Sequence, residues 1–175
     1  MGIWEPIADR DVELIRIAMP LQSASFRLAC FPHEPDSSDM LWHLARQLLP
    51  SVEVLAVQYP HGDARNPGGR TGDLDELVGD SALLLSGWSD LPLALFGHHS
   101  GGEVALRVAD RLERELGVDP LCTFVADRGA WGVFPAFETA RLRSPVIAFA
   151  GAHDAPRCAE TVNLIHDGLL AAQID

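Results

Sequence analysis

The stretch Leu93-Ala94-Leu95-Phe96-Gly97-His98-His99-Ser100-Gly101-Gly102-Glu103-Val104-Ala105-Leu106 decides how this chain folds. A short apolar run ends in a glycine, turns through two histidines and a serine, and leaves through two glycines into an amphipathic segment. That succession predicts a strand, a sharp turn and a helix, the nucleophile elbow that lifts a reactive side chain above a sheet. Glycines two before and two after the central residue relieve the crowding of so tight a turn. The frame Gly97-His98-His99-Ser100-Gly101 makes His99 the central residue and sets Ser100 one position late.

Outward from the elbow, strand and helix signals alternate. Val12 to Met19 alternates apolar and polar residues and predicts an edge strand. Phe26 to Phe31 is a second strand, closed by Pro32. Ser37 or Ser38 is placed to cap a helix through Leu49, with Leu41, Leu44, Ala45 and Leu48 on its inner face. Val52 to Val57 reads as a buried strand, and Arg65 to Gly72 as a polar surface loop. Asp73 opens a helix in which Leu74, Leu77, Val78, Ala82 and Leu85 keep helical spacing. The helix after the elbow is expected to run to about Leu116, stopped by Gly117 and Pro120. Leu121 to Ala126 and Pro145 to Ala150 are further strands, and Ala159 to Ala172 a final helix. Such alternation predicts an α/β protein with a doubly wound, mostly parallel sheet and its functional groups at the C-terminal ends of the strands. Residues 1–175, 47% hydrophobic, read as a single domain with a real core.

Composition narrows the function. No apolar run is long enough to cross a bilayer, and Met1 to Pro20 lacks the layout of a signal peptide, so a cytoplasmic protein without membrane contact is expected. The formal charge of −12, with thirteen arginines and no lysine, argues against nucleic acid as a partner. Arg107, Arg111 and Arg114 share one helix face; that stripe reads as a solvated face, or else as a docking patch for an acidic partner. Cys30, Cys122 and Cys158 show no metal or redox spacing, and the first two lie in apolar strands as buried thiols.

Four pieces in order, Phe31-Pro32-His33, Val52 to Pro60, Phe96-Gly97-His98 and Ala109-Asp110-Arg111-Leu112-Glu113-Arg114, carry a resemblance to the type II thioesterases. These are stand-alone α/β-hydrolases serving polyketide and nonribosomal-peptide assembly lines. The similarity runs from about Arg27 to Ala126 and resumes around Pro145 to Pro156. It implies an α/β-hydrolase-like fold and acyl groups carried on the phosphopantetheine arm of a carrier protein. In that family the loop after the first of these strands supplies oxyanion-hole amides and the elbow carries a serine. An aspartate after a late strand then pairs with a C-terminal histidine.

This chain departs from that pattern. Where the family has Phe-Pro-His-Ala-Gly-Gly, it has Phe31-Pro32-His33-Glu34-Pro35-Asp36, so two carboxylates oppose the charge that develops in acyl transfer. His99 takes the nucleophile position, while Asp154 matches the triad aspartate. The lid between Ala126 and Pro145 is reduced to one short segment, and the chain stops at Asp175, before the family's closing strand and catalytic histidine. Five of seven histidines, His33, His61, His98, His99 and His153, fall in turns after strands, which in a doubly wound sheet open on one edge. His33 and His98 are ordinary for the family and suit loop-stabilising hydrogen bonds; His99 and His153 are departures. An imidazole at the elbow tip suits a general acid or base. Glu34, Asp36, Glu103 and Asp154 supply carboxylates to orient it. Adjacent His98 and His99 are expected to point apart, which argues against a metal site.

The candidate catalytic residues are therefore His99, Ser100, Asp154, Glu34 and Asp36. Candidate substrate-binding residues are His33, His61, His98, His153, Glu103 and Trp131. No cofactor and no metal are expected. Three readings follow: a non-hydrolytic enzyme using His99 for cyclisation, elimination or ring opening of a pathway intermediate, a pseudoenzyme that binds or assembles, and a thioester hydrolase using Ser100. The substrate is expected to be a small biosynthetic intermediate, free or tethered to an acyl carrier protein. An unguarded Pro145 to Ala150 edge and apolar Trp131, Val133, Phe134 and Phe137 point to a homodimer.

Overall fold

The computed structural model describes residues 13–17, 23–32, 38–58, 73–126, 139–149 and 155–173. Among the described residues, six strands form one sheet: β1 (Glu13–Ile17), β2 (Phe26–Phe31), β3 (Val52–Gln58), β4 (Leu93–His98), β5 (Thr123–Ala126) and β6 (Val146–Phe149). Four α-helices among the described residues flank it: α1 (Ser38–Leu48), α2 (Asp73–Ser86), α3 (Ser100–Arg111) and α4 (Ala155–Ala172). The strand order is β1-β3-β2-β4-β5-β6, with β1 antiparallel to β3 and every other pairing parallel. β1 is thus an edge strand, as its alternating sequence predicts.

Burial on both faces explains why the inner strands read as continuous apolar runs. Along β2 every residue is buried, and successive side chains divide between two cores. Ala29 and Phe31 join Leu93 and Leu95 of β4 against Leu77, Val78 and Leu85 of α2 and Val104 and Val108 of α3. Leu28 and Cys30 join Val54 and Phe96 against Leu41, Leu44 and Leu48 of α1 and Ile165 and Leu169 of α4. Period two in the strands and 3.6 in the helices together place α2 and α3 on one face and α1 and α4 on the other. The sheet is doubly wound, as expected. From β2 the chain moves outward to β3, then returns to lay β4 on the other side of β2. The reversal sets a topological switch point between β2 and β4, and ligands of open α/β sheets bind at the strand C-terminal ends beside such a point.

The final helix starts at Ala155, one turn earlier than its apolar spacing suggests. Pro156 falls in its first turn, where a missing N–H leaves no helical hydrogen bond unmade. Cys30 and Cys122 are buried thiols; burial pushes Cys122 up to about 12 and Cys30 further in the same direction. The side chain of Cys158 lies outside the described residues.

Two polar clusters hold the end of the molecule away from the elbow. Arg27 on β2 donates to its register partner Glu53 at 2.7 Å and to Asp90 at 2.5 Å, with its guanidinium 5.0 Å from the Trp88 ring centre. α3 continues as a wider turn, Leu112–Leu116, that buries the carboxylate of Glu113. That carboxylate accepts the backbone N–H of Arg143 at 2.7 Å, the N–H of Ser144 at 2.9 Å and the Ser144 hydroxyl at 2.6 Å. Glu113 thereby fixes where the chain enters β6. Glu113→Gln must turn its amide NH₂ toward the backbone N–H of Arg143 or that of Ser144, neither of which can accept. It should lower the unfolding free energy by about 3 kcal/mol, because a buried N–H that loses its charged acceptor carries the full desolvation penalty. Urea denaturation followed by circular dichroism checks this; an unchanged midpoint would show that the latch contributes nothing.

Candidate active site

The elbow is built from contacts that exclude side chains. His98 ends β4 beside Ala126 of β5, and the His99 N–H donates to the Ala126 carbonyl at 3.3 Å. The chain then reverses at His99, with φ 50° and ψ −122°, and α3 begins at Ser100. The Gly102 N–H donates back to the His99 carbonyl at 3.0 Å, closing the turn. A Cβ on Gly97 would lie 2.6 Å from the Gly101 carbonyl oxygen and 2.7 Å from the Gly102 nitrogen. One on Gly101 would overlap the Phe31 carbonyl oxygen of β2, and one on Gly102 would lie 2.7 Å from Val125 of β5. Three glycines thus let α3 press against the ends of β2 and β5 at the switch point.

His99 is the only non-glycine residue with positive φ among the described residues. A backbone of that kind is strained for a residue with a Cβ, typically by about 1–3 kcal/mol, and such strain concentrates at functional positions. It is the geometry the elbow requires at its tip, so the tip residue is His99 and Ser100 is one step down, buried at the start of α3.

One sequence-based expectation is corrected here. His98 and His99 do not point apart: their ring centroids are 4.2 Å apart, with the ring planes at 71°. Consecutive side chains of a strand alternate faces, but the positive φ at His99 ends the alternation and lets the second ring meet the first. His98 is buried at the strand end and His99 is half-buried. Glu103 accepts from Arg107 at 2.7 and 2.8 Å, an ion pair one turn along α3. Arg111 pairs with Glu115 at 2.9 Å and Asp75 at 3.7 Å, and Arg114 with Asp110, so each arginine of the stripe meets an acid, as on an ordinary solvated face. His33, Glu34, Asp36, His61, Trp131, His153 and Asp154 lie outside the described residues. What the structure brings together is therefore His98, His99 and Ser100 at the elbow, with Glu103 on the next turn. An imidazole can accept a proton at one nitrogen and donate from the other, so a tip of this kind can do acid–base chemistry.

This strand–elbow–helix unit, on a doubly wound sheet with the elbow beside the switch point, defines an α/β-hydrolase-type protein. The thioesterase domain family matches residues 26–141, well over half of the 175, and the chain belongs to that family. It is 34% identical over 122 residues to thioesterase PikA5 of Streptomyces venezuelae, covering 69% of this chain and 43% of that protein. Over 120 residues it is 28% identical to a probable cadicidin biosynthesis thioesterase of Streptomyces griseus, covering 69% of this chain and 33% of the relative. The chain thus spans less than half the length of these relatives. In fold it is similar to BorB, the type II thioesterase from the borrelidin biosynthetic cluster, with a TM-score of 0.61 at 20% identity over 94% of this chain and 98% of that one. Among the described residues, no helix is long and apolar enough to cross a membrane.

Proposed function

We propose that this protein acts on an acyl intermediate of polyketide or nonribosomal-peptide biosynthesis, with His99 as a general acid or base and no acyl-serine intermediate. The observation that carries the reading is the position of His99 at the elbow tip, φ 50°, where a thioesterase of this fold presents its nucleophile. An imidazole there can take a proton from, or return one to, a bound substrate. Cyclisation, elimination and ring opening all need such a transfer and none needs a covalent intermediate. Burial of Ser100 inside the first turn of α3 supports the same reading, since a hydrolytic serine must reach the thioester carbonyl. The carboxylates of Glu34 and Asp36, in the segment following β2, suit proton transfer better than oxyanion stabilisation. A relative named for cadicidin biosynthesis and a fold shared with the borrelidin-cluster thioesterase support the biosynthetic setting and, with it, a carrier-tethered or free small-molecule substrate.

The test uses acyl thioesters of N-acetylcysteamine with the purified chain. Thiol release should not exceed the uncatalysed background, and intact-protein mass spectrometry should detect no acyl adduct. A turnover that vanishes in Ser100→Ala but survives in His99→Ala would replace this reading with hydrolysis through Ser100.

A further inference from the structure

We propose that the outer edge of β6 is where two copies of this chain pair, antiparallel about a two-fold axis through Ile147. The Thr123 N–H donates to the Pro145 carbonyl at 2.9 Å, so that carbonyl faces β5. Successive residues of a parallel strand bond to alternate sides, so Val146 and Ala148 present their N–H and C=O groups outward. β6 ends the strand order, and among the described residues no strand meets those groups. Val146 is half-buried and Ala148 exposed, and Val146 to Phe149 holds no charge that would guard the edge. On the α4 side, Gly168 lets the helix settle against Ile147. Leu164, one turn earlier on the same flank of α4, is 43% exposed.

Antiparallel pairing about a two-fold makes a strand its own complement, and one register uses both outward residues. Centred on Ile147, it sets Val146 opposite the partner's Ala148, a pair that exchanges both N–H···O bonds. Ile147 then meets the partner's Ile147 where opposed strands approach most closely. Charge decides for a second copy. At a net charge of −12, two copies repel over most of their surface. Arg141 stands exposed before β6 and Glu160 exposed in the helix after it, and among the described residues neither meets an opposite charge. Pairing turns the Arg141 end of each β6 toward the Glu160 end of the other, so this edge attracts where other faces repel.

Sedimentation of the full chain at micromolar concentration should show a particle of twice 19.0 kDa. Ala148→Pro removes an outward N–H without touching the β5 ladder and should leave a folded monomer. Ala148→Lys puts a charge at the same exposed position and should do likewise, so the test stands if the proline variant fails to fold. Arg141→Glu should weaken dimerisation roughly tenfold, and adding Glu160→Arg should restore it. A dimer that survives both Ala148 variants lies elsewhere on the surface and overturns the proposal. An Arg141→Glu chain that pairs as tightly as the wild type removes the reason for a second copy and overturns it too. So does a wild type that stays monomeric. Fast hydrogen exchange at Val146 and Ala148 would then show a bare edge, and slow exchange an edge covered by the chain's own residues.

Discussion

Gly101→Ala should destabilise the protein by about 3 kcal/mol or more, whereas Gly79→Ala should leave it as stable or slightly more so. Both glycines lie within helices, where the substitution ordinarily gains up to about 1 kcal/mol through helix propensity and a less flexible unfolded chain. At Gly79 of α2 the new methyl would meet only the tip of Arg111, at 3.2 Å, and a guanidinium can swing aside. At Gly101 it would overlap the Phe31 carbonyl oxygen and approach its carbon to 2.8 Å, and backbone cannot yield without parting α3 from β2. Against a typical total of about 5–15 kcal/mol, a loss of that size moves the urea midpoint far outside error. A Gly101→Ala variant as stable as the wild type would mean that α3 does not approach β2 this closely, and the elbow geometry would fall with it.

Most of the fold was legible because the signals are periodic and local. The buried runs Phe26 to Phe31 and Leu93 to His98 could only be covered on both faces, and the helical spacing of Leu41, Leu44, Ala45 and Leu48 supplied one cover. α4 starts one turn before the expected Ala159 because a first helical turn tolerates Pro156 and needs no apolar spacing of its own. The Glu113 latch was illegible. Its carboxylate and the backbone it caps lie thirty residues apart, and nothing local to either distinguishes this glutamate from a surface one.

The site was legible in part. Gly97, Gly101 and Gly102 announced the elbow, and counting from them placed His99 at its tip, where the structure also puts it. The contact between His98 and His99 was missed because it follows from a single backbone angle. Strand alternation, applied one residue too far, separates two rings that the positive φ at His99 brings together. A non-glycine residue at an elbow tip is the signal that could have revealed it, since such a tip enforces positive φ whatever side chain it carries.

His99→Ala and His99→Gly should both lower turnover of the biosynthetic intermediate by roughly 10²–10⁴-fold, the usual contribution of a general acid or base. The two variants should nevertheless differ in stability, with His99→Gly more stable than His99→Ala by about 1 kcal/mol. Both remove the imidazole and its contact with His98, so that loss cancels in the comparison. What remains is the Cβ of alanine at φ 50° and ψ −122°, a backbone that costs a residue with a side chain about 1–3 kcal/mol and glycine little. The greater freedom of glycine in the unfolded chain offsets part of that gain, by about 0.4–1 kcal/mol. An active site commonly carries strain of this sort in exchange for placing a reactive group where the substrate needs it. Equal urea midpoints for the two variants would show that the tip is not held in the left-handed region. Turnover that persists in either variant would remove His99 from the chemistry and leave a thioesterase fold that binds without catalysing.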